Sequence, residues 1–316
     1  MLSFFNANTQ KYDYIWLLGD DSNSNPDFAG MIFDFFSGDL EIYSEFRPVP
    51  LRQVNASLCD SLGNILFYTN GISIRNANHE IMENGYGLNP GFFFDLYEED
   101  GYVLTQGAIA LLQPESDSIA FLFHMDVDVN EDFTDSYSNF IYYSLIDLSQ
   151  NDGLGAVTEK NTILIDQHLD KGKLTAVKHA NGRDWWIMAR LFGVNEYPTL
   201  LLTPNGIENI RIQNSGMPVP SGSLGQAIFS PDGSKYVHVN LHGARGTPID
   251  VSIFDFDRCT GQLYNPIQFS YVDSAACLGA AISPNSRFLY VSSWIKVYQY
   301  DLWAADIEAS RITVAE

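Results

Sequence analysis

The stretches FSPDGSKYVHV (229–239) and ISPNSRFLYVS (282–292) decide how this chain folds. Each runs from a strand through a Pro-Asp or Pro-Asn turn into a second strand. Related turn-then-strand segments are LGNILFYT (62–69), SDSIAFLF (116–123) and GRDWWIMA (182–189), and YDYIWLLG (12–19) extends the series towards the N-terminus. The first strongly apolar residue of each is an anchor: Ile15, Ile65, Ile119, Trp185, Tyr236 and Phe288. Successive anchors lie 50, 54, 66, 51 and 52 residues apart. A period near fifty is that of propeller blades.

A second register agrees with the first. Nine residues before the last five anchors stand Ala56, Ala110, Ala176, Ala227 and Gly279, all small, each within a short apolar strand. The first strand of a propeller blade lies nearest the narrow axis, so small, buried residues are expected there. Further strands follow in each unit. DVSIFDFD (250–257) and QLYNPIQF (262–269) belong to the fifth, GMIFDFF (30–36) and LEIYSEF (40–46) to the first. Their apolar residues alternate as in half-buried antiparallel strands. The best helical pattern is DLWAADIEASRI (301–312). The expected fold is therefore all-β, one domain over 1–316: a β-propeller of four-stranded antiparallel blades, about six of them visible. The ring closes if ITVAE (312–316) or FFNA (4–7) completes an end blade; otherwise the chain is part of a larger ring.

Composition narrows the function. With 316 residues and 46% hydrophobic side chains, the chain can bury a core without metal or disulfide staples. Its 39 acidic and 17 basic residues give a net charge of −22, which repels nucleic acid and anionic lipid. No apolar run approaches the ~20 residues of a membrane helix, so no membrane insertion is expected. MLSFFNANTQKYDY at the N-terminus lacks the pattern of a signal peptide; either none is encoded or the sequence begins after its removal. Cys59, Cys259 and Cys277 are too few and too scattered for a zinc site or a disulfide framework, and read as small buried hydrophobes.

Several longer stretches resemble a family. GNILFYTNGISIRNANHEIMENGYGL (63–88), YYSLIDLSQNDGLGAVTEKN (142–161), LTAVKHANGRDWWIMA (174–189) and FSPDGSK (229–235) are similar, in order, to signatures of the WD40-like β-propeller region of large secreted proteins of Bacteroidota. The resemblance covers about 12–300. It implies a propeller exported by the type IX secretion route to the cell surface or beyond, and no catalytic residues. Arg75 and Glu83 depart from the family's usual Trp and Pro. The sorting domain typical of such proteins does not follow Glu316, so a piece of a longer protein is expected.

MDVDVNEDFTD (125–135) is the sharpest polar cluster. Asp126, Asp128, Asn130 and Asp132 alternate like the first ligands of a calcium loop, and calcium is the one cofactor the sequence suggests. Glu131 stands where such a loop needs Gly, and Tyr137 where it needs a bidentate Glu. The other reading of these residues is a solvated acidic turn. His238 and His242, four apart, could share a metal only if a loop brings them together; His79, His124, His168 and His179 read as structural. No G-x-S-x-G elbow or phosphate-binding loop is present, and Gly85, Gly87 and Gly91 are spaced wrongly for a dinucleotide site.

Residues 171–190 form the only locally basic stretch, with Lys171, Lys173, Lys178, Arg183 and Arg190 against Asp184. It either balances nearby acidic turns or marks a site for an acidic glycan or acidic partner. Trp185 and Trp186 face opposite ways on one strand, so one enters the core and the other is a stacking platform if exposed. The binding set read from the sequence is Lys173, Lys178, Arg183 and Trp186. The expected function is a non-enzymatic scaffold or binding module for protein or glycan at the cell surface. The alternative is an extracellular propeller enzyme acting on glycan or lactone.

Overall fold

Turn residues recurring between short apolar runs build strand after strand. The computed structural model describes residues 14–23, 27, 30–132, 134, 136–220, 224–241, 246–273 and 279–316. Among these the chain is all-β apart from short helical turns. A three-stranded sheet comes first: β1 (Ile15–Leu18), β2 (Met31–Asp34) and β3 (Glu41–Ser44). Next come β4 (Ala56–Cys59), β5 (Ile65–Thr69), β6 (Ser73–Asn76) and β7 (Ile81–Tyr86), followed by helix α1 (Phe92–Tyr97). Then follow β8 (Ala108–Leu112), β9 (Ile119–Met125), β10 (Asp128–Val129), β11 (Ser136–Asp147) and β12 (Ala156–Leu169). These nine strands are hydrogen-bonded as one sheet, but β7 and β12 meet at a single parallel bridge, Glu83 against Ala156.

Three four-stranded antiparallel sheets complete the chain. The first holds β13 (Thr175–Lys178), β14 (Trp185–Met188), β15 (Glu196–Thr203) and β16 (Gly206–Asn214). The second holds β17 (Leu224–Phe229), β18 (Lys235–Leu241), β19 (Pro248–Asp257) and β20 (Gln262–Val272). The last holds β21 (Gly279–Ile282), β22 (Phe288–Ser292), β23 (Val297–Asp301) and β24 (Ile312–Ala315). ITVAE thus supplies the outermost strand of the last sheet, while FFNA lies outside the described residues.

The sheets stack face to face in sequence, and the core is divided among the layers between them. Ile15, Leu17 and Ile32 of the first sheet pack on Cys59 and Tyr68. Leu58 and Phe67 meet Leu122 and Ile146, and Phe123 and Ile141 meet Ile187 and Leu200. Trp186 and Tyr197 meet Tyr236 and Phe254, while Val239 and Val251 meet Leu289 and Tyr300. Strand β18 shows the rule. Tyr236 faces the preceding sheet, whereas its neighbour Val237 faces the following one. Strands β9, β18 and β19 are therefore buried on both faces, which corrects the half-buried expectation for 250–257, whereas β2, β3 and β20 keep exposed residues. This is the propeller-like arrangement, in which each sheet is a wall for two layers.

The anchors Ile65, Ile119, Trp185 and Phe288 open second strands, and Tyr236 is the second residue of another. Ala56, Ala110, Ala176, Ala227 and Gly279 all lie on the first strands of their units, as their shared offset required. Only Ala227 is fully buried; the other four are half-exposed, because three first strands border an open cleft. Within 301–312, residues 302–310 form turns and bends between β23 and β24 instead of a helix. Ser310 Oγ accepts the Asp301 N–H (2.9 Å), and Leu302 N–H donates to Arg287 O (2.8 Å), tying the segment to its own sheet.

Candidate functional site: a cleft along the first strands

Strands β4, β8 and β13 are each hydrogen-bonded on one side only, to β5, β9 and β14. Ala56, Ala108, Ala110 and Ala176 keep the space between them open. The result is a cleft of 920 Å³, within the size range of small-molecule sites. Eight of its nineteen lining residues are alanine, leucine or isoleucine. Polar groups gather where the β8–β9 and β13–β14 turns, with Glu115, Asp117 and Arg183, meet Lys178 and Trp185 at the end of the groove; Asn55 and Ser57 face in from β4.

The two cations of the cleft have different surroundings. The Arg183 guanidinium donates to both oxygens of Asp184 (2.7 and 3.2 Å) and to Glu115 Oε1 (3.0 Å). These bonds hold its proton more tightly than usual and keep the Asp184 carboxyl below the ordinary carboxylate range. Lys178 Nζ donates to Arg183 O (3.0 Å) and lies 3.9 Å from the centre of the Trp185 ring. No carboxylate of the described residues forms an ion pair with it. Burial lowers its pKa, and nearby Asp184 opposes that effect.

Two of the four residues read as a binding set thus line the cleft, and two do not. Trp186 is only 3% exposed, packs between sheets, and donates its indole N–H to Arg258 O (2.9 Å). Its neighbour Trp185 is the one on the cleft wall. Lys173 is 1% exposed and pairs with Asp170 Oδ2 at 3.0 Å. Its backbone, at φ 58°, turns the side chain inward over Gly225, where an added Cβ would lie 2.9 Å from Lys173 Cε. That pair belongs to a buried tie between sheets. Arg190 donates to His238 Nε2 (2.8 Å) and to Val219 O (2.6 Å). Arg190 thus occupies His238 Nε2, and His242 lies outside the described residues.

The described side chains of the acidic cluster are engaged mainly with protein partners. Asp126 is buried, and its Oδ1 accepts the backbone N–H groups of Asn139 (2.8 Å) and Phe140 (2.9 Å). The Asn139 side-chain amide bridges Asp126 Oδ2 (3.4 Å) and Asp128 Oδ2 (3.1 Å), standing where a shared cation would sit. Asn130 Oδ1 accepts the Thr134 N–H (2.8 Å), and Asp132 is exposed on the turn. Among the described residues no group of three or more His, Cys, Asp or Glu is placed to hold a metal. Cys259 is exposed, contrary to the reading of all cysteines as buried; Cys59 is buried, and Cys277 lies outside the described residues.

Sequence reasoning did not single out Asn55, and it listed Trp186 where the cleft wall carries Trp185. Both faces of β14 are apolar, so no polar contrast along WWIM shows which indole meets the cleft.

No family model matches the sequence, and no curated protein matches it. Among solved structures, the chain is similar to a putative 6-phosphogluconolactonase from Bacteroides uniformis, with a TM-score of 0.53 and 16% identity over 95% of this chain and 81% of that one. The shared property is the propeller-like fold. A functionally unknown protein from Desulfotomaculum acetoxidans matches with a TM-score of 0.46 and 12% identity, over 90% of this chain and 81% of that one.

Proposed function

We propose that this chain is a non-enzymatic binding module of the cell surface, a six-bladed propeller that holds a glycan in the cleft along its first strands. The carrying observation is the cleft itself: a 920 Å³ groove with a small-residue wall, one indole, one ammonium and exposed amide at its edges. Such a mixture suits binding by stacking and hydrogen bonds. The buried imidazoles lie elsewhere. His124 is held between Asn89 and Ser144, and His238 sits on Arg190. Glu115 is engaged by Arg183.

Six blades follow if the nine-stranded sheet is divided at its single bridge, Glu83 to Ala156, into β4–β7 and β8–β12. Support for a surface location comes from the resemblance of 63–88, 142–161, 174–189 and 229–235 to type IX-exported propellers of Bacteroidota.

Calorimetry against a panel of neutral and acidic oligosaccharides tests this reading. Asn55 is exposed on the cleft wall, and its side chain makes no hydrogen bond among the described residues, so Asn55→Trp fills the groove without touching the core. The expected result is binding by the wild type and at least tenfold weaker binding by the variant. Equal binding, or no binding across the panel, would overturn the cleft as the site. Turnover of a bound glycan, or of a lactone, would overturn the non-enzymatic role.

A further inference from the structure

We infer that the glycan carries a carboxylate, as in a hexuronic acid, and that this group docks on Lys178 Nζ. The inference rests on the reading of the cleft as the binding site and adds the ligand's chemical class. Of the two cations on the cleft wall, Arg183 already has two carboxylate partners, Asp184 and Glu115. Lys178 has one acceptor, the carbonyl of Arg183, which leaves two of its three N–H groups for another partner. It is half-buried, so water compensates it poorly, and Asp184 acts on it from nearby without forming a direct ion pair. In a chain with 39 acidic residues, a groove cation with no direct carboxylate contact is suited to a charge from outside. A charge-assisted bond from a ligand carboxylate would restore what burial removed.

The neighbours of Lys178 favour a sugar over an acidic peptide. The Trp185 ring lies directly against the ammonium and offers an apolar face. Across the groove Asn55 offers its amide to ring hydroxyls, while the Ser57 hydroxyl already donates to Ile15 O (3.1 Å). Glu115 and Asp117 also stand on the rim, and both are exposed. In high-dielectric surroundings Asp117 opposes an anion less than the half-buried Lys178 attracts it.

The test compares a trimer of a hexuronic acid with the same trimer after its carboxyl groups are reduced to alcohols. Calorimetry is run on the wild type and on Lys178→Gln, whose amide can still donate to the Arg183 carbonyl. Thermal melting verifies that the variant is folded. The uronate trimer should bind the wild type at least tenfold more tightly than the reduced trimer, and Lys178→Gln should remove that preference. Equal affinity for both trimers would overturn the carboxylate assignment while leaving the cleft as the site. A preference that survives in Lys178→Gln would overturn Lys178 as its origin. Tighter binding of a tri-glutamate peptide would replace the sugar by an acidic peptide. Binding of only neutral glycans from the wider panel would also refute the carboxylate, whereas failure of every glycan would remove the cleft reading itself.

Discussion

Mild acid should destabilise this protein before most of its carboxylates titrate, and His124 sets the size of the effect. Asn89 donates its amide to Gly71 O (3.1 Å), so its Oδ1 accepts from His124 Nδ1–H at 2.6 Å. Nε2 then accepts the Ser144 hydroxyl at 3.0 Å. This arrangement suits one neutral tautomer and has no place for a second proton. Burial accordingly lowers the pKa from 6.5 to about 3. The unfolded chain binds a proton that the folded chain refuses. The stabilisation is therefore complete above the unfolded value and is lost as pH falls through the window from 6.5 to about 3. At ~1.4 kcal/mol per pH unit the whole window is worth roughly 5 kcal/mol, of which about 2 kcal/mol is gone by pH 5. His238 acts in the same direction, held well below its ordinary value by burial and then by the Arg190 guanidinium. Asp126, raised by burial, has the opposite sign and softens the loss as it takes up its proton. Urea midpoints measured from pH 7.5 to 5 would show the trend, and His124→Gln should remove about 2 kcal/mol of it. Identical pH dependence in wild type and variant would refute the argument.

Three further outcomes follow from packing. Trp186→Ala should cost about 3–5 kcal/mol in a urea titration, whereas Trp185→Ala should cost clearly less and abolish glycan binding. Asp126→Ala strands two backbone donors and should cost roughly 2–4 kcal/mol, while millimolar calcium should leave the wild-type melting temperature unchanged. Ala110→Leu, which extends into the open cleft, should change stability by less than about 0.5 kcal/mol in the same titration and weaken glycan binding.

The period of the chain was legible because each second strand begins soon after a polar turn, as at Ile65 and Phe288. The 66-residue interval to Trp185 reflects the long strands β11 and β12, of 12 and 14 residues, which lengthen one unit without changing its order. The best helical pattern, 301–312, forms no helix: Leu302 and Ile307, five residues apart, are both drawn into the last core layer, a spacing that suits turns there. Site residues were less legible for a related reason. When both faces of a strand are buried, apolar pattern cannot tell Trp185 from Trp186. Nor can acidic spacing foresee that Asn139, from the next strand, fills the place between Asp126 and Asp128. Local basicity in an acidic chain picked out Lys178 and Arg183, which line the cleft, and equally the buried Lys173, which does not.

The most direct measurement is diffraction from crystals soaked with the tightest-binding oligosaccharide. The account predicts sugar density along β4, β8 and β13, with a ligand carboxylate within hydrogen-bond distance of Lys178 Nζ. Density on an outer strand or between other sheets, with the cleft holding only water, would contradict it.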